Sequence, residues 1–361
     1  MARVRPSYDK GILTNGPLVR ELEERAAEYL GAPHVVAVAS CTAGLMLTLQ
    51  SLSVERAVVL PSFTFVASAH AVSWNGLRPV FAECDERSFQ LDVCDATECI
   101  DGAGAIMATH VFGAPCRVEE IEALGHRASV PVVFDAAHGL GATRAGRRIG
   151  TFGDAEVFSL SPTKTVVAGE GGLVATPRAD VADAIRIGRD YGNPGDYDAR
   201  FVGLNARMSE LHAAIALESL AGLDERLEIR RGIAARYREG LRSIPGVTVQ
   251  EVDALDESTY KDFTIAVDDE LGVSRDAVVA GLHAEGIDTR CYFAPPVHQQ
   301  QAYRDVPPRF LPVTERVAQR VVSLPIFADM GLDTVDRVVD VLMSMWVYAG
   351  DLQAGGAPLT V

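Results

Sequence analysis

An α/β fold, with a large and mostly parallel sheet and a smaller C-terminal α+β unit, is predicted by three features of the sequence. Short β-branched runs that are apolar throughout alternate with helical patterns over the first two thirds of the chain. Strands of that kind belong to a sheet covered on both faces. Near Asn205 the pattern changes to long helices interleaved with fewer strands. A length of 361 residues also suffices for a large buried core and for two domains, placed at 1–240 and 241–361.

The elements follow in order. "HVVAVAS" and "AVVLPS" each read as a strand followed by a helix, and "RPVFAE", "GAIMATHVFG", "VPVVFDAAH" and "AEVFSLS" as further strands. "VEEIEALGHRA" is one of the covering helices. The uncharged run "VVAVASCTAGLMLTLQSL" is long enough to suggest a membrane span, but it breaks at Ser40-Cys41-Thr42. A buried strand, a turn and a helix fit it better. Beyond Asn205, "ARMSELHAAIALESL" and "DERLEIRRGIAARYREGLRSI" are helical, and the charges of the second read as a solvated face. Candidate strands "VTVQ", "YKDFTIAVD" and "DTRCYF" then alternate with helices "SRDAVVAGLHAEG", "PVTERVAQRVVSL" and "LDTVDRVVDVLMSMW". The tail "GDLQAGGAPLTV" is expected to fray.

Charge narrows the function. A formal net charge of −16 argues against nucleic acid or an anionic membrane as partner, since both require a dense basic patch. An anionic ligand has to be held locally, by a few arginines, backbone N–H groups and helix N-termini. The six cysteines form no CxxC pair and no repeated spacing, so they read as reduced thiols rather than a disulfide framework or metal site. "MARVRPSYDK" lacks the apolar core of a signal peptide, and a cytoplasmic location is expected.

The chemistry centres on "FSLSPTKTVVAGEGGLVAT", which contains one of only three lysines (Lys10, Lys164, Lys261). A serine-acylase pair of Ser161 with Lys164 would also require "SDN" and "KTG" elements, and neither is present. "AGEGG" lacks the lysine and Ser/Thr that follow the glycines of a phosphate loop. "HGLGATRAG" lacks the third glycine of a dinucleotide site. A Schiff-base lysine gains from its neighbours. Pyridoxal phosphate requires an amine, an acid facing its ring nitrogen, donors for its phosphate and a flat group over the ring. Asp135 ends an apolar strand, where open α/β sheets place ligand-binding residues. By itself it reads equally well as the N-cap of a helix over Ala136 to Leu140. Ser40-Cys41-Thr42-Ala43 likewise suits either a phosphate or a plain N-cap.

At these residues the chain resembles the pyridoxal-phosphate-dependent nucleotide-sugar aminotransferases of the DegT/StrS type, within the aspartate-aminotransferase fold (fold type I). The likeness begins at "ILTNGPLVRELEERAAEYLGAPHVVAVASCTAGL" and runs through "LPSFTFVASAHAVSWNGLRPVFAECD", "ATHVFGAPCRVEEIEAL" and "VVFDAAHGLGA". It continues in "FSLSPTKTVVAGEGGLV" and "VGLNARMSELHAAIALESL", and closes in "YFAPPVHQQQAY" and "VVSLPIF". The resemblance implies pyridoxal 5'-phosphate as cofactor, held covalently by Lys164, which also shuttles protons. It implies Asp135 at the pyridinium nitrogen, Phe65 on the ring, and Thr42, Ala43 and Ser159 on the phosphate. Asn205 would reach the phosphate of a neighbouring subunit, so a homodimer with shared, open active sites is expected. His138 stands where many members have glutamine beside the cofactor's phenolic oxygen. His110, Arg207, Tyr292 and His298 match positions near the sugar.

The implied reaction moves the amino group of L-glutamate to a nucleotide-linked keto-sugar, with a dTDP-4-keto-6-deoxyhexose as the expected acceptor. Amination at the 3-position is the runner-up, and a non-catalytic regulator of the same fold is the competing class. Abundant Arg, Ala and Val fit a high-GC bacterium and the biosynthesis of glycosylated antibiotics. Two departures stand out. Cys41 replaces a common glycine and would crowd the phosphate turn, and His138 replaces the glutamine. Related 3-dehydratases carry histidine in place of the lysine, so Lys164 puts this chain with the transaminases.

Overall fold

Seven apolar strands build the central sheet: β1 His34–Val38, β2 Ala57–Pro61, β3 Arg78–Ala82, β4 Ala105–Thr109, β5 Val132–Asp135, β6 Ala155–Ser159 and β7 Gly172–Thr176. The chain is described here by a computed structural model covering residues 3–349, so the tail expected to fray lies outside the described residues. The strand order is β1-β7-β6-β5-β4-β2-β3. Neighbours from β6 through β3 pair in parallel, whereas β7 runs against both of its partners. The sequence reading passed over β7, because its glycine-rich start hides the strand pattern.

Both faces of this sheet are covered, which explains strands without polar alternation. Ile106, Phe134 and Phe158 enter one core with Leu22 and Leu227. Their strand neighbours Met107, Val133 and Val157 enter a second core with Val58 and Leu45 on the opposite face. The run from Val35 to Leu52 resolves into β1 and the helix Cys41–Ser51.

A second, antiparallel sheet contains β8 Val247–Val249, β9 Phe263–Val267 and β10 Val321–Leu324, in that order. Two expectations are corrected here. The stretch "RVVSL" is not a helix end, because the helix Pro312–Arg320 stops and Val321 turns extended at φ −79, ψ 141. Paired β-branched valines favour that change. "DTRCYF" is not a strand; Arg290 makes a single bridge to Ser323, and β10 occupies the place beside β9.

The helix Leu223–Leu241 joins the two cores. Leu223 and Leu227 pack under the large sheet, and Ile233, Tyr237 and Leu241 pack under the small one. Its arginines are not simply a solvated face, which corrects the charge reading. Arg226 donates to the carbonyl of Thr165 at 3.2 Å, and Arg230 to those of Tyr260 and Ile326 at 2.9 and 3.2 Å. The helix therefore straps loops from both sheets.

Two helices take their N-terminal cap from a distant buried carboxylate. The helix Pro17–Leu30 has Gly16 at its N-cap, with no side chain to offer. Glu210, 1% exposed, instead accepts the N–H groups of Leu18 and Val19, each at 3.0 Å, and the Ser7 hydroxyl at 2.7 Å. A Cβ at Gly16 would stand 2.7 Å from the Glu210 carboxyl carbon. Glu83 likewise receives the N–H groups of Val313 and Thr314 at 3.0 and 2.7 Å. Removing Glu210 strands three buried donors. Glu210→Ala is expected to lower stability by about 3 kcal/mol, seen as a fall in the thermal midpoint; Glu210→Gln, which keeps one acceptor, should lose less.

Candidate active site

The carboxyl ends of the parallel strands meet at Asp135, the last residue of β5. Its side chain is almost inaccessible, and the residue is 3% exposed. Ser68 donates to Oδ2 at 2.6 Å and the Ala137 N–H to Oδ1 at 3.1 Å. Ser68 lies in the helix Val66–Trp74 that follows β2, and Thr64 links its hydroxyl (3.1 Å) to that of Thr109 (3.0 Å) at the end of β4. Residues 137–140 form a turn rather than a helix, so the N-cap alternative for Asp135 falls. Burial pushes this carboxyl up; Ser68, the Ala137 N–H and the Lys164 charge pull it back. A cation brought to Asp135 would favour its ionised form.

Lys164 follows β6 on a loop tied at several points. Its own N–H donates to the carbonyl of Ser161 at 3.1 Å. Thr165 donates to the carbonyl of Leu140 at 3.3 Å, and Val167 N–H to the Ser219 hydroxyl at 3.0 Å. Among the described residues no side chain hydrogen-bonds or ion-pairs with Lys164 Nζ. Burial holds this amine below its ordinary basicity, and the charge of Lys261 lowers it further. His138 sits on the same turn as Leu140, and its buried Nδ1 has no hydrogen-bond partner. Burial, then Lys164 and Lys261, hold its ring neutral.

The turn at Ser40 opens the helix Cys41–Ser51, and the Ser40 hydroxyl accepts the Ala43 N–H at 3.1 Å. Such an N-terminus carries a partial positive charge suited to a phosphate. Thr42 and Ala43 are half-buried there. Cys41 does not crowd the turn. Its thiol is turned inward, 3.6 Å from the Val157 carbonyl, and burial keeps it protonated. Space is made by Gly172 at the start of β7, where a Cβ would lie 2.7 Å from the Cys41 nitrogen. Ser159, 7% exposed, donates its hydroxyl to that of Ser161 at 3.2 Å. Phe65 is 58% exposed at the start of its helix. Asn205 is exposed and makes one bridge to Asp190.

The four residues expected near the sugar fare differently. His110 is fully buried: its Nδ1 accepts the Cys116 N–H at 3.0 Å, Nε2 stands 3.5 Å from Glu156, and the ring stacks on Phe134. It has no free face for a ligand, which corrects its reading as a substrate contact. His298 bridges the Ser62 hydroxyl (2.6 Å) and Glu315 (3.2 Å), wedging β2 against the helix Pro312–Arg320. Arg207 pairs with Asp190 and lies over the Tyr191 ring at 5.0 Å. Tyr292 is half-buried, with Lys261 Nζ 5.7 Å from its ring centre. Ser68 and Lys261 were missed. The scarcity of lysine was a usable signal for Lys261, but nothing in "FVASAH" marks Ser68.

These groups fit pyridoxal phosphate. They supply a free amine of lowered basicity, a buried acid wanting a cation, a positive helix end beside an open turn, and a neutral histidine with an unused nitrogen. Fold and site together define a pyridoxal-phosphate-dependent aminotransferase. The chain belongs to the DegT/DnrJ/EryC1/StrS aminotransferase family, whose profile matches residues 1–343. The dTDP-4-amino-4,6-dideoxy-D-glucose transaminase of Escherichia coli is 31% identical over 93% of this chain and 92% of its own. A UDP-N-acetyl-3-dehydro-alpha-D-glucosamine 3-aminotransferase of Acidithiobacillus ferrooxidans is 33% identical over 90% and 87%. Among solved structures, DesI in the presence of its TDP-sugar product superposes with a TM-score of 0.92 at 38% identity, over 98% of this chain and 91% of that one. S. venezuelae DesV in complex with a ketimine intermediate gives 0.91 at 32%, over 96% and 93%. The enzyme is thus a nucleotide-sugar aminotransferase. Among the described residues no helix is long and apolar enough to cross a membrane, and no acidic, histidine or cysteine cluster could hold a metal.

Two glycines give a paired test. Gly172→Ala should cost about 1–3 kcal/mol by overpacking and weaken cofactor retention, measured by thermal shift and by absorbance after dialysis. Gly232→Ala, in open space within the helix Leu223–Leu241, should stabilise by about 0.5–1 kcal/mol.

Proposed function

We propose that the enzyme transfers the amino group of L-glutamate to a dTDP-4-keto-6-deoxyhexose. The reading is carried by the convergence of Asp135, the unpartnered Lys164 amine and the unused Nδ1 of His138 at the carboxyl end of the sheet's central strand. The acceptor is supported by the relatives: one is named for a dTDP sugar aminated at the 4-position, and DesI was solved with a TDP-sugar product.

Bound pyridoxal phosphate supplies an electron-accepting ring, which makes the proton on the amino-bearing carbon of the donor removable. Asp135 would meet the ring nitrogen and favour its protonated form, while Ser68 and the Ala137 N–H hold the carboxylate in place. Lys164 Nζ would anchor the cofactor. Freed when glutamate binds, its amine would serve as the base that accepts the α-carbon proton of the donor and as the acid that returns a proton later in the reaction. The same amine moves a proton in the opposite sense when the sugar ketone is aminated. Its lowered basicity gives more neutral amine at neutral pH than an ordinary lysine has. His138 would meet the phenolic oxygen as a neutral ring. Phe65 offers an exposed aromatic face to the cofactor ring. Thr42, Ala43 and Ser159 would hold the phosphate, the Ala43 N–H becoming available once the Ser40 hydroxyl that now accepts it rotates away.

Asn205, exposed in the single chain, completes the phosphate site of a second subunit, so the active form is a homodimer. Its sites are open clefts that admit a bulky nucleotide, and the enzyme works in the cytoplasm. The large and small domains divide at residue 240, within the helix that straps both cores.

Purified protein is expected to be yellow and to bleach on addition of glutamate. Lys164→Ala should lose turnover by at least about a thousandfold; unchanged turnover, or protein that takes up no cofactor, would sink the assignment. Incubation with 3-keto and 4-keto dTDP-sugars, followed by NMR of the product, decides the position. Amination at carbon 3 would favour the second reading, which the 3-aminotransferase relative supports.

A further inference from the structure

Three buried hydroxyls stand in line behind Asp135. Thr64 and Ser68 are fully buried, and Thr109 is nearly so. Thr109 ends β4, and its hydroxyl lies 3.0 Å from that of Thr64, in the stretch between β2 and the helix Val66–Trp74. The Thr64 hydroxyl lies 3.1 Å from that of Ser68, and Ser68 in turn 2.6 Å from Asp135 Oδ2. The other carboxylate oxygen accepts the Ala137 N–H.

The protons available give this chain a direction. An ionised carboxylate only accepts, so the single hydroxyl proton of Ser68 goes to Oδ2. The bond between Ser68 and Thr64 then needs the Thr64 proton, and the bond between Thr64 and Thr109 needs that of Thr109. Every hydroxyl proton finds an acceptor. The O–H dipoles run head to tail toward the negative charge, an arrangement in which hydrogen bonds strengthen one another. Ser68 has a second acceptor in reach, the Phe65 carbonyl at 3.2 Å. A proton donated onto the Ser68 oxygen by Thr64 makes Ser68 the better donor and favours the charged acceptor over the neutral one.

We propose that Thr64 is a positioning residue for Asp135: its hydroxyl, backed by Thr109, donates to Ser68 and so commits the Ser68 proton to the ionised carboxylate. This role rests on the reading of Asp135 as the acid that meets the cofactor's ring nitrogen. A carboxylate stabilised as an anion leaves a shared proton on the nitrogen, where that reading needs it. Thr64 acts through Ser68 and has no contact with Asp135 of its own. The titratable groups facing Asp135 are Lys164 on the loop beyond β6, His110 after β4 and the Cys41 thiol at the start of the helix Cys41–Ser51. Burial works against the anion, while Lys164 and His110 favour it from a distance. Among the described residues, Ser68 is the one side chain that hydrogen-bonds the carboxylate, so the hydroxyls behind it are the part of this balance that a single substitution can remove.

The test follows Asp135 itself, in the full chain before cofactor is added. Protein made with carboxyl-labelled aspartate is titrated by carbon-13 NMR, and the Asp135 resonance is assigned by its loss in Asp135→Asn. Thr64→Val keeps the shape of the side chain and removes its proton. It should raise the Asp135 midpoint by about half a unit, roughly a threefold fall in the ratio of ionised to protonated acid at fixed pH. Thr64→Ser, which returns a hydroxyl, should bring back the wild-type midpoint. Thr109→Val should shift it the same way by less, and decides the matter if Thr64→Val does not fold. A role in packing alone would lower the thermal midpoint of the valine variants and leave the titration in place. An unchanged titration in the folded valine variant, or a serine variant that titrates like valine, overturns the proposal. Because the readout needs neither cofactor nor turnover, it remains distinct from a failure of the aminotransferase reading, which would show as protein that never turns yellow.

Discussion

A carboxylate at the end of β5, cut off from water and without an arginine or lysine in contact, constrains much of what surrounds it. Asp135 is kept in place by two neutral donors, Ser68 and the Ala137 N–H. Ser68 in turn depends on Thr64 and Thr109, so hydroxyls at the ends of β2 and β4 are committed to one acid on β5. The parallel pairing of these strands aligns their carboxyl ends, which is what makes that convergence possible. The next turn then gives its carbonyls to Thr165 and Thr259, bringing in the Lys164 loop from one direction and the Lys261 segment from another.

Burial of an acid does not itself mark a reactive site in this molecule. Glu83, Glu156 and Glu210 are all buried, as Asp135 is. Glu83 and Glu210 saturate their oxygens with helix N–H groups, and Glu156 accepts the Phe152 N–H at 2.6 Å. Buried polar atoms without a hydrogen-bond partner occur in both settings, at Glu156 Oε2 and His110 Nε2 in the core and at His138 Nδ1 in the candidate site, where the His138 ring lies near Lys164. Such groups are costly unless a ligand meets them.

The strands of the large sheet were legible because burial on both faces writes itself as an uninterrupted apolar run. Asp135 drew notice because it ends an apolar strand, and Lys164, on the loop beyond β6, because it is one of only three lysines. What sequence could not show was tertiary. Arg226 and Arg230 look like a solvated face until the loops whose carbonyls they bind are in place. β7 begins with glycines that a local pattern cannot distinguish from a loop, and its partner β1 lies far away in sequence. "RVVSL" continues a helical rhythm and becomes a strand only because β9 offers an edge. His110 sits after a strand like a catalytic residue, yet the Cys116 N–H and Phe134 claim it for the core.

The remote cap on the first long helix also bears on how the protein is made. The N–H groups of Leu18 and Val19 find their acceptor 192 and 191 residues later. At a synthesis rate of about 5–20 residues per second, that separation lasts roughly 10 to 40 s. Throughout that interval the helix start emerges from the ribosome without its acceptor. Its apolar stripe, Leu18, Leu22 and Leu30, must wait for the helix Glu210–Ala221 as well. The amino-terminal segment, first to be synthesised, therefore cannot settle into its native place until the helix Glu210–Ala221 has been made.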